Sequence, residues 1–267
     1  RVEETAGTGA WTEVSPALYE TLSLAQEMAR QSDGAFDVTS GTLTELWDAA
    51  RAAQHPPTAE EIAAAQSRVD WHALELRERA ADDGEHPEVR LLRAGMKIDR
   101  GALIKGLALD GIARSWAAGG AVNALADLGS SSILACGVNA EGEPWRIGVR
   151  NPRGESRSDL AATVQLSDAM LSASGDDERY FLYEGRRYHH LVDPRTGDPA
   201  ETGLASVTVI LPQDAMTGTM WAGHEGQLSD MLSTAIFVMG AERGRSLLTD
   251  IPGAQLILIG TDGRVIE

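Results

Sequence analysis

The sequence predicts an α+β fold. Its composition, 43% hydrophobic and 24% charged over 267 residues, is that of an ordinary globular chain with enough apolar material for one large domain or two packed lobes. Three helical patterns run together before Trp71, and short segments of alternating polarity follow it. Helices and strands therefore come in runs rather than in strict alternation, the pattern of an α+β chain.

The first helix begins with Ser15 as N-cap and Pro16 at N1, carries Leu18, Leu22, Ala25 and Met28 at helical spacing, and stops before Gly34. "SGTLTELWDAARAA" predicts a second helix and "TAEEIAAAQSRV" a third, with Thr58 and Glu61 spaced for a capping box and "HPP" breaking between the two. "LELRERA", "EVRLLRAG" and "MKID" read as hairpin strands around the acidic turn "DDGEHP". "GALIKGLALDGIARSWAAGG" then returns to a helix that ends at Gly119-Gly120. Strands follow at "ALADLG", "SILACGV", "WRIGVRNP", "ATVQLS" and "AMLSASG", then a hairpin "YFLYEGRRYHHLV" turning at Glu184-Gly185. "ASVTVILP" is β-branched and reads as a buried strand. A glycine-rich irregular stretch, Gln213 to Gln227, precedes the apolar helix "SDMLSTAIFVMG", and a short helix and the hairpin "AQLILIGTDGRVIE" close the chain. No repeat, low-complexity tract or flexible linker appears, so the sequence predicts no clean domain boundary.

With 23 Lys and Arg against 40 Asp and Glu, the net charge of −17 argues against binding nucleic acid or an anionic membrane face. An anionic substrate would need a local positive patch, a metal ion or helix N-termini to meet it. Lys97 and Lys105 are the only lysines, which directs attention to each. Cys136, the only cysteine, sits in the apolar "SSILACGV" and reads as a small core residue rather than a nucleophile. No apolar run approaches the roughly 18–20 residues of a transmembrane helix. The sequence opens at Arg1 without an initiator Met, so a leader or a trimmed segment can precede it.

Six stretches hold residues with chemical potential. In "IDRGALIKG" a strand passes through glycine into a helix with Asp99 at the entry and Lys105 in the first turns, a place where N–H groups and one ammonium suit a phosphate. The plainer alternative makes Asp99 an N-cap and Lys105 an exposed helix residue. In "SDMLSTAIFVMG" Asp230 and Thr234 stand i,i+4 on one face, an oxygen pair that suits a hard cation such as Mg²⁺. Alternatively Ser229 or Asp230 caps that helix and Thr234 bonds back to a carbonyl. In "GAFDVT" Phe36 reads as core and Asp37 or Thr39 as a cap, while Gly129 in "ADLGSSSILACG" marks either a turn that admits a close ligand backbone or a plain turn. Asp176 and Asp177 are adjacent, face opposite ways in a strand and make a poor carboxylate dyad. In "RRYHHLVDPRTGDP" the adjacent His189 and His190 likewise face opposite sides of a strand that leads into an Asp-Pro turn.

Taken in order, "GAFDVT" with Trp47 downstream, "IDRGALIKGLALD", "LGSSSILACG", "WRIGVRNP", "SGDDERYF", "YHHLVDPRTGDP", "SVTVILP" and "SDMLSTAIFVMG" make the chain resemble the FAD:protein FMN transferases, the ApbE-like flavin transferases. The resemblance implies two packed α/β lobes with a flavin cleft between them, Mg²⁺ as cofactor, and FAD as substrate. It implies an acceptor flavoprotein that takes FMN on a Thr or Ser hydroxyl while AMP leaves. It also implies an extracytoplasmic setting, periplasmic or membrane-anchored through a removed leader.

Matched to the family motifs, Ala35, Phe36 and Asp37 fall on the flavin-contacting turn, and Asp99 and Lys105 on the FAD-binding acid and lysine. Ala102 falls on a carbonyl metal ligand, and Asp230 and Thr234 on the side-chain ligands. His190 falls on the base that activates the acceptor hydroxyl, Leu191 against the flavin, and His189 where a small polar residue is usual. Against the family pattern, Ser130 to Ser132 follow Gly129 in place of paired glycines with an acid or amide, Asp177 replaces a common tyrosine and Arg100 an apolar residue. Gln213 to Gln227 is longer than the usual connection and carries Trp221 and His224 toward the metal helix. The resemblance treats 1–267 as one transferase domain without the family's N-terminal section, and leaves FAD hydrolysis to FMN and AMP, or flavin binding without turnover, as alternatives.

Overall fold

A computed structural model describes residues 1–81, 84–101, 103–129, 131–156 and 158–266. In chain order the elements are β1 (Thr12–Glu13), α1 (Pro16–Gln31), α2 (Gly41–Ala53), α3 (Ala59–Gln66), β2 (Leu74–Ala81), β3 (Gly84–Leu91), α4 (Ile104–Gly119), β4 (Ala124–Asp127), β5 (Ser132–Cys136), β6 (Trp145–Arg150), β7 (Leu160–Leu166), β8 (Ala169–Gly175), β9 (Tyr180–Tyr183), β10 (Arg186–His189), β11 (Leu204–Pro212), α5 (Glu225–Met239), α6 (Ala241–Ser246), β12 (Gln255–Gly260) and β13 (Val265–Ile266). This is an α+β architecture. Two compact units divide it, one built from Arg1–Arg100 with Tyr180–Pro199, the other from Gly101–Arg179 with Ala200–Glu267. The chain passes between them at Arg100, Arg179 and Pro199 without a linker-like composition at any of the three, which is why the sequence shows no boundary.

In the first unit the helix starts follow local chemistry. Ser15 accepts the Leu18 N–H at 3.3 Å with Pro16 at N1, and Thr58 and Glu61 close both halves of a capping box ahead of α3. A three-stranded antiparallel sheet runs in the order β1-β3-β2. The β2–β3 ladder continues from Leu74↔Leu91 to Ala81↔Gly84, so Gly84 to Pro87 are strand rather than turn. Pro87 has no N–H to give, but its carbonyl accepts from Val14 N at 3.0 Å and the strand runs through it. The tip of the acidic turn, residues 82 and 83, lies outside the described residues. "MKID" forms no strand: it contributes one parallel bridge, Lys97 to Ser40.

The β9–β10 hairpin turns at Glu184 (φ 50°) and Gly185 (φ 79°), both left-handed, as a two-residue turn of the favoured kind requires. Its inward face stacks Phe181 on Tyr188 and Tyr188 on Trp47 of α2, with centroids 5.2 and 5.7 Å apart.

The second unit is a six-stranded antiparallel sheet, β13-β12-β11-β8-β5-β4. Because side chains alternate along each strand, Ile133, Ala135, Leu171 and Ile210 pack on one side against Ile147 and Leu166 of the β6–β7 ribbon. Leu134 and Met170 pack on the other side against Leu109 of α4, where Ser172 and Ser174 also meet Ser229 and Ser233 of α5 at 2.8 Å each. β11 is buried along nearly its whole length, as its β-branched composition predicts. α5 begins at Glu225, earlier than expected, so Ser229 and Asp230 lie inside the helix and neither is its N-cap. Cys136 is half-buried rather than core, because it ends β5 with its thiol toward the Ala121 carbonyl.

Candidate active site

In the second unit α4 and α5 each cap the other's start with a carboxylate from the second turn. The Gly106 N–H in the first turn of α4 donates to Asp230 Oδ2 of α5 at 3.0 Å. In return Asp110 of α4, fully buried, accepts from the N–H groups of Gly226 at 2.7 Å and Gln227 at 3.2 Å, and from Gln227 Nε2 at 3.1 Å. Each helix starts without a capping side chain of its own, after Leu103 and His224 respectively. Of the N–H groups that helix starts leave without intrahelical partners, Gly106 in α4 and Gly226 and Gln227 in α5 are thus met from the neighbouring helix.

The helices come close enough for this because two glycines meet at the crossing. A Cβ on Gly106 would sit 2.6 Å from Gln227 Cα, and one on Gly226 would sit 2.6 Å from Asp110 Oδ1 and 2.8 Å from the Gly106 carbonyl. Only glycine permits such backbone contact.

Lys105 and Thr234 complete the arrangement. The exposed Lys105 ammonium donates to the Ser131 hydroxyl at 2.5 Å and pulls the Asp230 carboxyl toward its charged form. Thr234 Oγ1 lies 3.2 Å from Ser174 Oγ and donates to the Asp230 carbonyl at 3.4 Å. Burial pushes the Asp230 carboxyl up to about 6, against the Gly106 N–H and Lys105, with the Asp110 charge pushing the same way as burial. Burial also raises Asp110, opposed chiefly by its bonds to Gln227 and Gly226. With Oδ2 of Asp230 taken by Gly106, Oδ1 is the atom available to a further partner. A buried carboxyl beside a lysine, with a hydroxyl one turn further along the same helix, forms an oxygen-donor, anion-tolerant arrangement. Among the described residues no three His, Cys, Asp or Glu side chains gather as a metal cage. Ala102 lies outside the described residues, as does Ser130.

The remaining sequence-derived residues belong to the first unit. Asp37 is not a helix cap. Its Oδ1 accepts from the Thr39 N–H and hydroxyl, both at 2.7 Å, and its Oδ2 from Trp71 N at 3.1 Å, which ties the Ala35–Thr39 turn to the segment before β2. Burial raises its carboxyl, with the Thr39 bonds opposing. Ala35 and Phe36 are core. Asp99 is not the N-cap of α4: its N–H donates to the Val38 carbonyl at 2.7 Å and its carboxylate accepts from Thr44 at 2.7 Å. Asp99 and the 35–37 turn therefore run side by side.

His189 is buried at the end of β10, opposite Tyr180, while His190, just past the strand, is half-buried and Leu191 is buried. The turn that follows is closed by Asp193, whose carbonyl accepts from Gly197 N at 2.8 Å and whose carboxylate holds Arg195. Trp47 Nε1 anchors the same loop on the Gly197 carbonyl at 2.8 Å. Asp176 and Asp177 bind separate arginines, Arg153 and Arg150, and form no dyad.

Sequence reasoning missed Asp110 and Ser131. Asp110 left one readable sign, an acid on the same helical stripe as Gly106, Leu109 and Ala113. Ser131 left none, since only folding brings it to Lys105.

Comparison with known proteins gives this geometry its class. The ApbE protein of Thermotoga maritima, known from a crystal structure, is 33% identical with a TM-score of 0.77, over 100% of this chain and 79% of that one. The flavinyl transferase ApbE of Pseudomonas stutzeri is 28% identical with a TM-score of 0.74, over 97% of this chain and 73% of that one. The ApbE family matches residues 1–258, and the chain belongs to that family. The FAD:protein FMN transferase of Treponema pallidum is 33% identical over 260 residues, 94% of this chain and 68% of its own length. That of Salmonella typhimurium is 29% identical over 237 residues, 88% of this chain and 63% of its own length. The chain thus spans about two thirds of the length of these relatives.

Proposed function

We propose that this chain is an FAD:protein FMN transferase that cleaves the FAD pyrophosphate, attaches FMN through its phosphate to a Thr or Ser hydroxyl of an acceptor flavoprotein, and releases AMP. One observation carries the reading: Lys105 and the Gly106 N–H at the first turn of α4 both act on the Asp230 carboxyl, with Thr234 one turn further along α5, in a chain whose relatives bear that name.

Mg²⁺ belongs to the same proposal, held by Asp230, Thr234 and the Ala102 carbonyl. Its preference for oxygen ligands suits them, and the burial that pushes the Asp230 carboxyl up to about 6 is a penalty that a bound cation would offset. When bound, the ion supplies neutralisation of pyrophosphate charge. Lys105 exchanges the Ser131 hydroxyl for a phosphate oxygen. His190 takes the acceptor's hydroxyl proton as that oxygen bonds to the FMN phosphorus and the bond from this phosphorus to AMP breaks. The family resemblance assigns Ala35, Phe36, Asp37, Asp99 and Leu191 to FAD contacts. An extracytoplasmic setting rests on the family resemblance, and no helix among the described residues is long and apolar enough to cross a membrane.

Incubation with FAD, Mg²⁺ and an acceptor domain, following AMP, free FMN and protein-bound flavin, tests the reading. AMP with covalent flavin is the expected result. AMP with free FMN makes the chain a hydrolase, and tight FAD binding without AMP under every metal and acceptor condition makes it a flavin binder.

A further inference from the structure

We infer that Asp110 is a positioning residue for the metal and phosphate site, acting through α5 rather than by contact with substrate. The inference rests on the proposed function for what is positioned. It rests on geometry for how.

Asp230 and Thr234 of α5 can serve one site with Lys105 of α4 only if α5 is held in a single register against α4. Three features set that register. Asp110 takes two backbone N–H groups and one side-chain N–H from the first turn of α5, all on a carboxylate with no solvent exposure. Gly106 and Gly226 let the helices touch backbone to backbone at the same level. One turn further along α5, Asp230 returns a bond to Gly106. The carboxylate at 110 and the carboxylate at 230 thus pin the same helix pair from opposite sides.

Gln227 shows how specific the pairing is. Facing an acceptor-only carboxylate, its amide must present Nε2, which also lies 3.0 Å from His224 Nδ1. Where His224 Nδ1 is unprotonated, those two contacts use both amide hydrogens. The carboxylate of Asp110 therefore organises His224 and Gln227 as well as the backbone. An amide at 110 would turn an N–H toward one of these donors and leave a buried mismatch.

Charge and position are separable by experiment. Mn²⁺ binding to the purified chain, read by the loss of the free-ion electron paramagnetic resonance signal, is measured for wild type, Asp230→Asn, Asp110→Asn, Asp110→Glu and Gly226→Ala. Folding is verified by circular dichroism at the same temperature. Asp230→Asn should abolish binding. Asp110→Glu keeps the charge but not the geometry, and Gly226→Ala changes no charge, so each should weaken Mn²⁺ on the order of 10–100-fold, the range seen when outer supporting residues of metal sites are lost.

Weakening in Asp110→Asn alone, with Asp110→Glu and Gly226→Ala like wild type, would show that only charge matters and overturn the inference. Wild-type affinity in all three overturns it too. No Mn²⁺ binding by wild type, or full binding by Asp230→Asn, defeats the metal reading first, and this inference falls with it. If Gly226→Ala does not fold, Gln227→Met removes one of the three bonds to Asp110 and takes its place, with a loss expected and unchanged affinity counting against the inference.

Discussion

The Lys105 ammonium rests on the Ser131 hydroxyl, 2.5 Å away, at the start of the same helix whose N–H meets Asp230. Ser131 thus gives the lysine a resting partner, one that the proposed function requires Lys105 to release before it meets a phosphate. Ser131→Gly should lower the KM for FAD roughly 3–5-fold, because one exposed hydrogen bond is worth about 1 kcal/mol or less. Lys105→Met should raise that KM by more than about tenfold, the loss of a charged phosphate contact. Steady-state AMP release over an FAD titration checks both, and an unchanged KM in Ser131→Gly would show that the contact imposes no cost.

Asp230 gives a stability prediction with a definite sign. Its carboxyl titrates near 6 in the folded chain and near its ordinary 3.8 when unfolded. Between those values the folded state binds more protons, so stability is highest at low pH and falls as pH rises through the folded value. Above it the metal-free protein carries a deficit of about 2–3 kcal/mol from this one group. Asp230→Asn should therefore raise the Tm of the metal-free protein at pH 7.5 and leave it nearly unchanged at pH 4, while losing Mg²⁺-dependent turnover. Thermal melts with a chelator at the two pH values measure it. A lower Tm at pH 7.5 would show that Asp230 is not held at the expense of stability.

The adjacent histidines should separate cleanly. His190→Ala is expected to lower transfer about 10²–10⁴-fold, the usual contribution of a positioned base. His189→Ala should cost less than about tenfold in transfer while lowering Tm, since His189 is buried against the hairpin and its loss leaves a cavity. Protein-bound flavin formed per minute distinguishes them, and equal losses would mean that the two roles are wrongly assigned.

The loop after His190 depends on α2. Trp47→Phe removes the bond to the Gly197 carbonyl and should cost about 1–3 kcal/mol, the penalty of leaving a buried acceptor unpaired. Gly197→Ala should be worse, because Gly197 has φ 81° and its Cβ would lie 2.6 Å from Ile62. Urea denaturation reads both. Transfer should fall with them if that loop holds His190 in place.

The local chemistry of this chain was legible in its residues. Ser15 with Pro16, the Thr58–Glu61 box and the Glu184-Gly185 turn each declare an element through contacts made within a few positions, the β-branched composition of β11 declares a buried strand, and each is found where its residues indicate. The candidate site was legible only in part. Lys105, Asp230 and Thr234 could be matched by motif, but the partners that give them their chemistry are far away in the chain: Ser131 for Lys105, Gly106 for Asp230, Ser174 for Thr234.

The caps were misread for the same reason. Near α4 and α5 an acid looks like a local N-cap, yet Asp99 bonds to Thr44, Asp110 caps α5, and Asp230 caps α4. A local pattern reports bonds closed by the helix itself. Here two glycines bring the helices so close that each start finds its acceptor on the other. Composition and periodicity determined which segments become helix or strand; tertiary packing alone decided which carboxylate answers which N–H, because that depends on a distance no short stretch of sequence contains.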